Sequence, residues 1–143
     1  MILLNNYSSR VEKVLDKNVK LIKKRQVYNE QDWQSWLYVD FRDEFFNDRN
    51  IKVFLEVTIR IPKAGRNKLY KVDILILDKE SRKPAVIIEL KYKSNLKESE
   101  LNKDILKMKE IRSLIENSCL LYSVGFNSDQ GKLFLHNVND EVV

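Results

Sequence analysis

Two consecutive apolar runs, each interrupted by a single acid, constrain this chain most. Residues 69–77 read Leu-Tyr-Lys-Val-Asp-Ile-Leu-Ile-Leu and residues 84–92 read Pro-Ala-Val-Ile-Ile-Glu-Leu-Lys-Tyr, with the polar turn Asp78 to Lys83 between them. Both predict β-strands, being rich in β-branched residues and bounded by turn residues. Alternation puts Val72, Ile74 and Ile76 on one side of the first strand and Asp73, Leu75 and Leu77 on the other. Both sides are apolar apart from the acid, so this strand is expected in the middle of a covered sheet. In the second strand Ala85, Ile87, Glu89 and Lys91 share one face, and Val86, Ile88, Leu90 and Tyr92 the other. A hairpin through residues 78–83 then brings Asp73 and Glu89 close together. A buried carboxylate is costly unless it is paired or binds a metal. Two of them repel unless a cation or a shared proton intervenes.

The rest of the chain supplies cover for such a sheet. Residues 8–26 predict a basic amphipathic helix, with Val11, Val14, Leu15, Leu21 and Ile22 at helical spacing and Ser8 or Ser9 as cap. Its opposite face carries Lys13, Lys17, Lys20, Lys23 and Lys24. Residues 30–47 predict a second helix, capped by Asn29, whose stripe of Trp33, Trp36, Leu37, Phe41 and Phe45 is expected to be core. Residues 51–61 alternate as a further strand, which Pro62 ends, and Pro62 to Lys68 reads as a mobile basic loop containing Gly65. Residues 99–116 are helical again, followed by strands at 119–126 and 132–138 around the turn signal Asn-Ser-Asp-Gln-Gly. A helical crossover between the third and fourth strands predicts an α/β fold with a mixed central sheet flanked by helices.

Length and composition narrow the class. With 143 residues the chain suits one domain around one core, read as an N-terminal basic helix (1–28), a core (29–126) and a C-terminal strand (127–143). A net charge of +5 suits an anionic partner, nucleic acid first. Cys119 is the sole cysteine and His136 the sole histidine, which excludes an internal disulfide, a cysteine zinc site and a His-His metal motif. No Walker loop or dinucleotide glycine motif is present, so ATP or NAD chemistry has no support. No apolar run reaches the roughly 18 residues of a membrane span. The start, Met-Ile-Leu-Leu-Asn-Asn-Tyr, is too quickly polar for a signal peptide, so the chain reads as soluble and cytoplasmic, with no membrane association.

Two convergent carboxylates suit a hard divalent metal. Mg²⁺ takes oxygen ligands, commonly one or two carboxylates with water and substrate phosphate. A lysine beside such a centre can position water and stabilise phosphate charge. Asp73 followed after the turn by Glu89-Leu90-Lys91 resembles the PD-(D/E)XK nuclease superfamily, which includes restriction endonucleases, archaeal Holliday-junction resolvases and RecB-type domains. The resemblance covers about two thirds of the chain and implies a restriction-endonuclease-like core of order α-β-β-β-α-β, here with an extra N-terminal helix and C-terminal strand. Val72 stands where the motif's proline would be. The resemblance implies Asp73, Glu89 and the Leu90 carbonyl as metal ligands, Lys91 as the catalytic lysine, Mg²⁺ replaceable by Mn²⁺, and cleavage of DNA leaving a 5′-phosphate. An acid on the first core helix is also expected, Glu30 first and Glu44 as its rival.

Further residues are nominated around this centre. Glu56 interrupts the apolar alternation of its strand, and Asp104 lies on the apolar flank of its helix, where it can hold Lys91. Lys63, Arg66 and Lys68 of the basic loop, with Lys93, are the expected phosphate contacts, and Tyr92 extends the same strand. A homodimer would bring two sites to two strands. The alternative is a non-catalytic module on the same fold, binding nucleic acid or protein through the basic helix.

Overall fold

The computed structural model of the chain describes residues 4–138. In chain order it has α1 (Leu4–Leu21), α2 (Glu30–Glu44), β1 (Ile51–Lys63), β2 (Arg66–Asp78) and β3 (Lys83–Lys93). A 3-10 turn (Glu98–Leu101) then leads into α3 (Asn102–Leu114), β4 (Leu120–Asn127) and β5 (Lys132–Asn137). The five strands form one sheet in the order β1-β2-β3-β4-β5. Only β3 and β4 run parallel, because α3 carries the chain back between them. This is the α/β architecture expected of a restriction-endonuclease-like core, with one helix before it and one strand after it. No helix among the described residues is long and apolar enough to cross a membrane.

The sheet is covered on both faces. Leu15 of α1 and Trp33, Leu37 and Phe41 of α2 bury Ile74, Ile76, Val86 and Ile88 on one face. Met108 and Ile111 of α3 bury Val72, Leu75, Ile87 and Leu121 on the other. Each such side chain contributes about 1.5–3 kcal/mol by leaving water. A polar relay locks α1 to α2: Trp33 Nε1 donates to Asn18 Oδ1 at 2.8 Å, Asn18 Nδ2 donates to Asp40 Oδ2 at 2.8 Å, and Arg25 grips the same carboxylate. Asn29 caps α2 as expected, accepting from the Asp32 N–H. A Cβ at Gly125 of β4 would lie 2.8 Å from side-chain methyls of both Leu96 and Leu101, which would have to shift to admit it. That close approach seats the start of α3 beside Lys91, the β3 neighbour of Gly125.

Several local expectations are corrected. The first helix is already under way at Ser8 and Ser9, so neither caps it; Ser8 Oγ instead donates to Glu12 and lies 2.9 Å from Tyr122 Oη. It ends at Leu21 rather than residue 26, in a turn where Gln26 has φ +54°. Trp36 is not core: it is 36% exposed, beneath the Arg25 guanidinium. Pro62 does not end β1, because β1 is an edge strand, where a residue without an N–H is tolerated. The supposed loop after it is a tight hairpin turned by Ala64 (φ +49°) and Gly65 (φ +79°), with Lys63 opposite Arg66.

Candidate active site

The site forms where β2 and β3 part. They are paired from Asp78↔Lys83 to Ile74↔Ile88, and there the ladder stops. One step further in register sets Asp73 opposite Glu89. Main-chain groups freed by the parting strands are taken up by side chains. The Leu90 N–H donates to Asp73 Oδ2 at 2.7 Å, and the Tyr92 N–H to Glu30 Oε1 at 3.1 Å. Gln34 Nε2 of α2 donates to the Asp73 carbonyl at 2.9 Å, and Lys107 Nζ of α3 to the Lys71 carbonyl. Because a strand residue's N–H and C=O project from the same edge, the Leu90 carbonyl also faces this fork.

The distortion extends into β1. Leu55 pairs with Ile74 and Val57 with Val72, but Glu56 between them has φ +48° and drops out of the ladder opposite Asp73. Positive φ costs a non-glycine residue on the order of 1 kcal/mol, and such strain concentrates at functional sites. The strict alternation expected for β2 breaks at the same point. Val72 packs with Leu75 on the α3 face, whereas Ile74 and Ile76 face α1 and α2.

Four acids share the fork. Glu89 is 8% exposed, and burial pushes its carboxyl up to about 7, with the Asp73 charge adding to the rise and Lys107 opposing it. Asp73 is raised by burial against the Leu90 N–H and Lys107, which favour its charge. Burial likewise raises Glu30 and Asp104, opposed in Glu30 chiefly by the Tyr92 N–H and in Asp104 chiefly by Lys91. Lys107 Nζ lies 3.1 Å from Glu89 Oε1 but off hydrogen-bonding geometry, so this buried oxygen has a counter-charge and no well-directed donor. Lys91, half-buried on the same face as Glu89, makes no ion pair or hydrogen bond among the described residues.

Of the nominated residues, Asp73, Glu89, Leu90, Lys91, Glu30 and Asp104 are brought together, with Glu56 exposed at the margin. Glu44 is not: it lies fourteen residues along α2 from Glu30, about 21 Å at helical rise, and binds Arg10 through side chain and carbonyl. Lys63 and Lys68 reach over α3 and share the Glu110 carboxylate, at 2.7 and 2.6 Å, and Lys93 pairs with Glu100 at 2.8 Å. Arg66 is exposed at the hairpin tip. Sequence reasoning missed Gln34 and Lys107. Each lies on the same helix face as a nominated acid, four residues after Glu30 and three after Asp104, and that spacing was the available signal.

No group of three or more His, Cys, Asp or Glu side chains is arranged to hold a metal among the described residues. Two carboxylates and a main-chain carbonyl make a smaller set, which suits Mg²⁺ because that ion keeps several of its waters. The poorly satisfied Glu89 oxygen and the desolvation of both acids fit a cation between them.

No family model matches the chain, and no curated protein matches it. Among solved structures it is similar to the protein of a DrdV–DNA complex determined by cryo-electron microscopy, at 15% identity and a TM-score of 0.48. That match covers 92% of this chain and 12% of the other, so the chain spans a small part of that protein's length. It is also similar to the crystal structure of SSO0001, at 14% identity and a TM-score of 0.46, over 95% of this chain and 76% of that one. At this level of likeness, what those proteins bind does not transfer to this chain.

Proposed function

We propose that the chain is a metal-dependent nuclease that hydrolyses phosphodiester bonds of nucleic acid, DNA in the first instance. One observation carries the reading: Asp73 and Glu89 converge, desolvated, at a fork in the sheet, two residues along β3 from Lys91, which makes no ion pair or hydrogen bond among the described residues. Asp73, Glu89 and the Leu90 carbonyl would hold Mg²⁺, or Mn²⁺ in its place. The chemistry a bound divalent ion supplies is neutralisation of phosphate charge and activation of water at neutral pH.

The chain's own groups do the rest. Lys91 offers its ammonium, which forms no ion pair among the described residues, to the phosphate oxygens and to the attacking water. Lys91 also favours the charged form of the Asp104 carboxyl against the burial that raises it. Glu30 and Gln34, by holding the Tyr92 N–H and the Asp73 carbonyl, keep β2 and β3 apart at the width the two acids need. Lys107 gives Glu89 its counter-charge while no metal is bound.

A second reading, a binding module that has kept the fold, draws support from that same ion pair, because Lys107 faces the oxygen a metal would take. Cleavage separates the two. Labelled single-stranded, duplex and branched DNA, with an RNA control, would be incubated with Mg²⁺, Mn²⁺ or EDTA and with wild type, Lys91→Ala or Asp73→Ala. Metal-dependent cutting lost in both variants is the expected result. No cutting by folded wild type would leave the binding module standing.

A further inference from the structure

Two sets of lysines on this chain differ in their partners. Lys63 and Lys68 share Glu110, Lys83 pairs with Glu116, Lys93 with Glu100 and Lys107 with Glu89. Lys13, Lys17, Lys20, Lys23 and Lys24 make no ion pair among the described residues. The second half of α1 and the turn after it thus carry five lysines free of ion pairs among the described residues, with Asp16 as the acid interspersed among them. A groove of about 760 Å³ runs along that turn. Lys20 and Lys23 line it together with three aromatic residues, Tyr28, Tyr92 and Phe126. Tyr28 is 75% exposed, yet its backbone is fixed by a 3.1 Å hydrogen bond from its N–H to Asp32 Oδ2. Tyr92 and Phe126 are ordered against each other with centroids 5.7 Å apart, and Tyr92 Oη donates to the Val27 carbonyl at 3.1 Å.

We infer that this groove holds a single-stranded segment of nucleic acid, its phosphates at Lys20 and Lys23 and a base stacked on Tyr28. Unpaired lysines supply the sequence-independent attraction to phosphate. An exposed aromatic ring on a fixed backbone supplies a stacking platform, which takes any base whose face is free. A duplex hides its base faces, so the occupant is a single strand, a flap or a frayed end. The groove adjoins the fork through one residue: Tyr92 lines the groove, its N–H is held by Glu30, and Lys91 precedes it. A strand lying in the groove thus leads to the two acids. The inference names the substrate class of that site, and in this respect it rests on the nuclease reading.

The test is fluorescence anisotropy of the full chain in EDTA, with labelled oligo(dT), oligo(U) and duplex probes of about 12 nucleotides, within the range of single-strand site sizes. The single strands are expected to bind more tightly than the duplex. Tyr28→Ala weakens that binding about tenfold, as loss of one stacked base does, while Tyr28→Phe keeps it. Lys20→Ser with Lys23→Ser lowers the slope of log affinity against log salt by about 1.4, the effect of two phosphate contacts on a single strand. Lys63→Ser with Lys68→Ser leaves that slope unchanged. Equal affinity for duplex and single strand, or binding unaltered by Tyr28→Ala, overturns the inference. Because no cleavage occurs in EDTA, the two readings fail separately. Tyr28-dependent binding by a protein that cuts nothing with any metal removes the nuclease and leaves the groove; cutting by a protein indifferent to Tyr28 removes the groove and leaves the nuclease.

Discussion

The two halves of the β2–β3 boundary are built from the same two strands and behave differently. From Leu77 back to Ile74, main chain bonds main chain and the side chains are apolar on both faces, with Ile74, Ile76, Val86 and Ile88 fully buried. From Asp73 onward the strands part, and Asp73, Glu30, Gln34 and Lys107 take up the main-chain groups. The first half spends its residues on stability. The second spends them on keeping carboxylates desolvated and close, an arrangement that destabilises the protein unless something positive sits there. The comparison separates substitutions that act on folding from those that act on chemistry.

The largest effect is expected in the forked half and on activity alone. Lys91→Ala lowers the rate of metal-dependent cleavage by about 10²–10⁴, the range for loss of a positioned acid–base group, and leaves the melting temperature near wild type because Lys91 makes no ion pair or hydrogen bond among the described residues. A variant that melts early would make Lys91 structural. The paired half should show the reverse. Ile88→Ala costs about 2–5 kcal/mol of stability, measured by denaturant unfolding, through the cavity it leaves.

Glu89→Gln puts the two halves in direct opposition. The folded-state value of Glu89 is raised from 4.5 to about 7. Its contribution to stability is therefore fully present below pH 4.5 and is lost as pH rises through 7. Metal-free Glu89→Gln should accordingly be more stable than wild type at pH 8, by up to about 3 kcal/mol, with the advantage vanishing near pH 4. Loss of stability at pH 8 would mean that the Lys107 pair outweighs desolvation. The same variant should lose the stabilisation that Mg²⁺ or Mn²⁺ gives wild type.

Smaller effects distinguish the ends of α2. Gln34→Ala leaves the Asp73 carbonyl without its donor and costs about 1 kcal/mol, with cleavage reduced because the fork is no longer held at its width. Glu44→Gln, at the other end of the helix, weakens a half-exposed pair worth at most about 1 kcal/mol and leaves cleavage unchanged. A loss of cleavage in Glu44→Gln would return that residue to the site.

Much of this was legible in the sequence, for identifiable reasons. The strands, the crossover helix and the Asn29 cap follow from period, β-branching and cap chemistry, which are local. Asp73 and Glu89 showed themselves as charges in runs where burial leaves no room for them, and Lys91 followed from period 2. The hairpin at Ala64-Gly65 was misread because a lone glycine beside several basic residues also suits a loop, and Pro62 excludes a strand only when that strand is interior. The lysines nominated there share a single carboxylate, Glu110, an acid some forty residues on that no local pattern could have paired with them.

What the sequence determined by itself, then, is which strands form and which carboxylates cannot be ordinary surface residues, because alternation and the cost of burying charge act within a few residues. Only the tertiary structure decided where β2 and β3 stop pairing, that Gln34 and Lys107 close the gap, and which lysines form ion pairs. Those outcomes depend on how helices far apart in the chain sit against a twisted sheet, and electrostatic pairing follows distance in space, not separation in sequence.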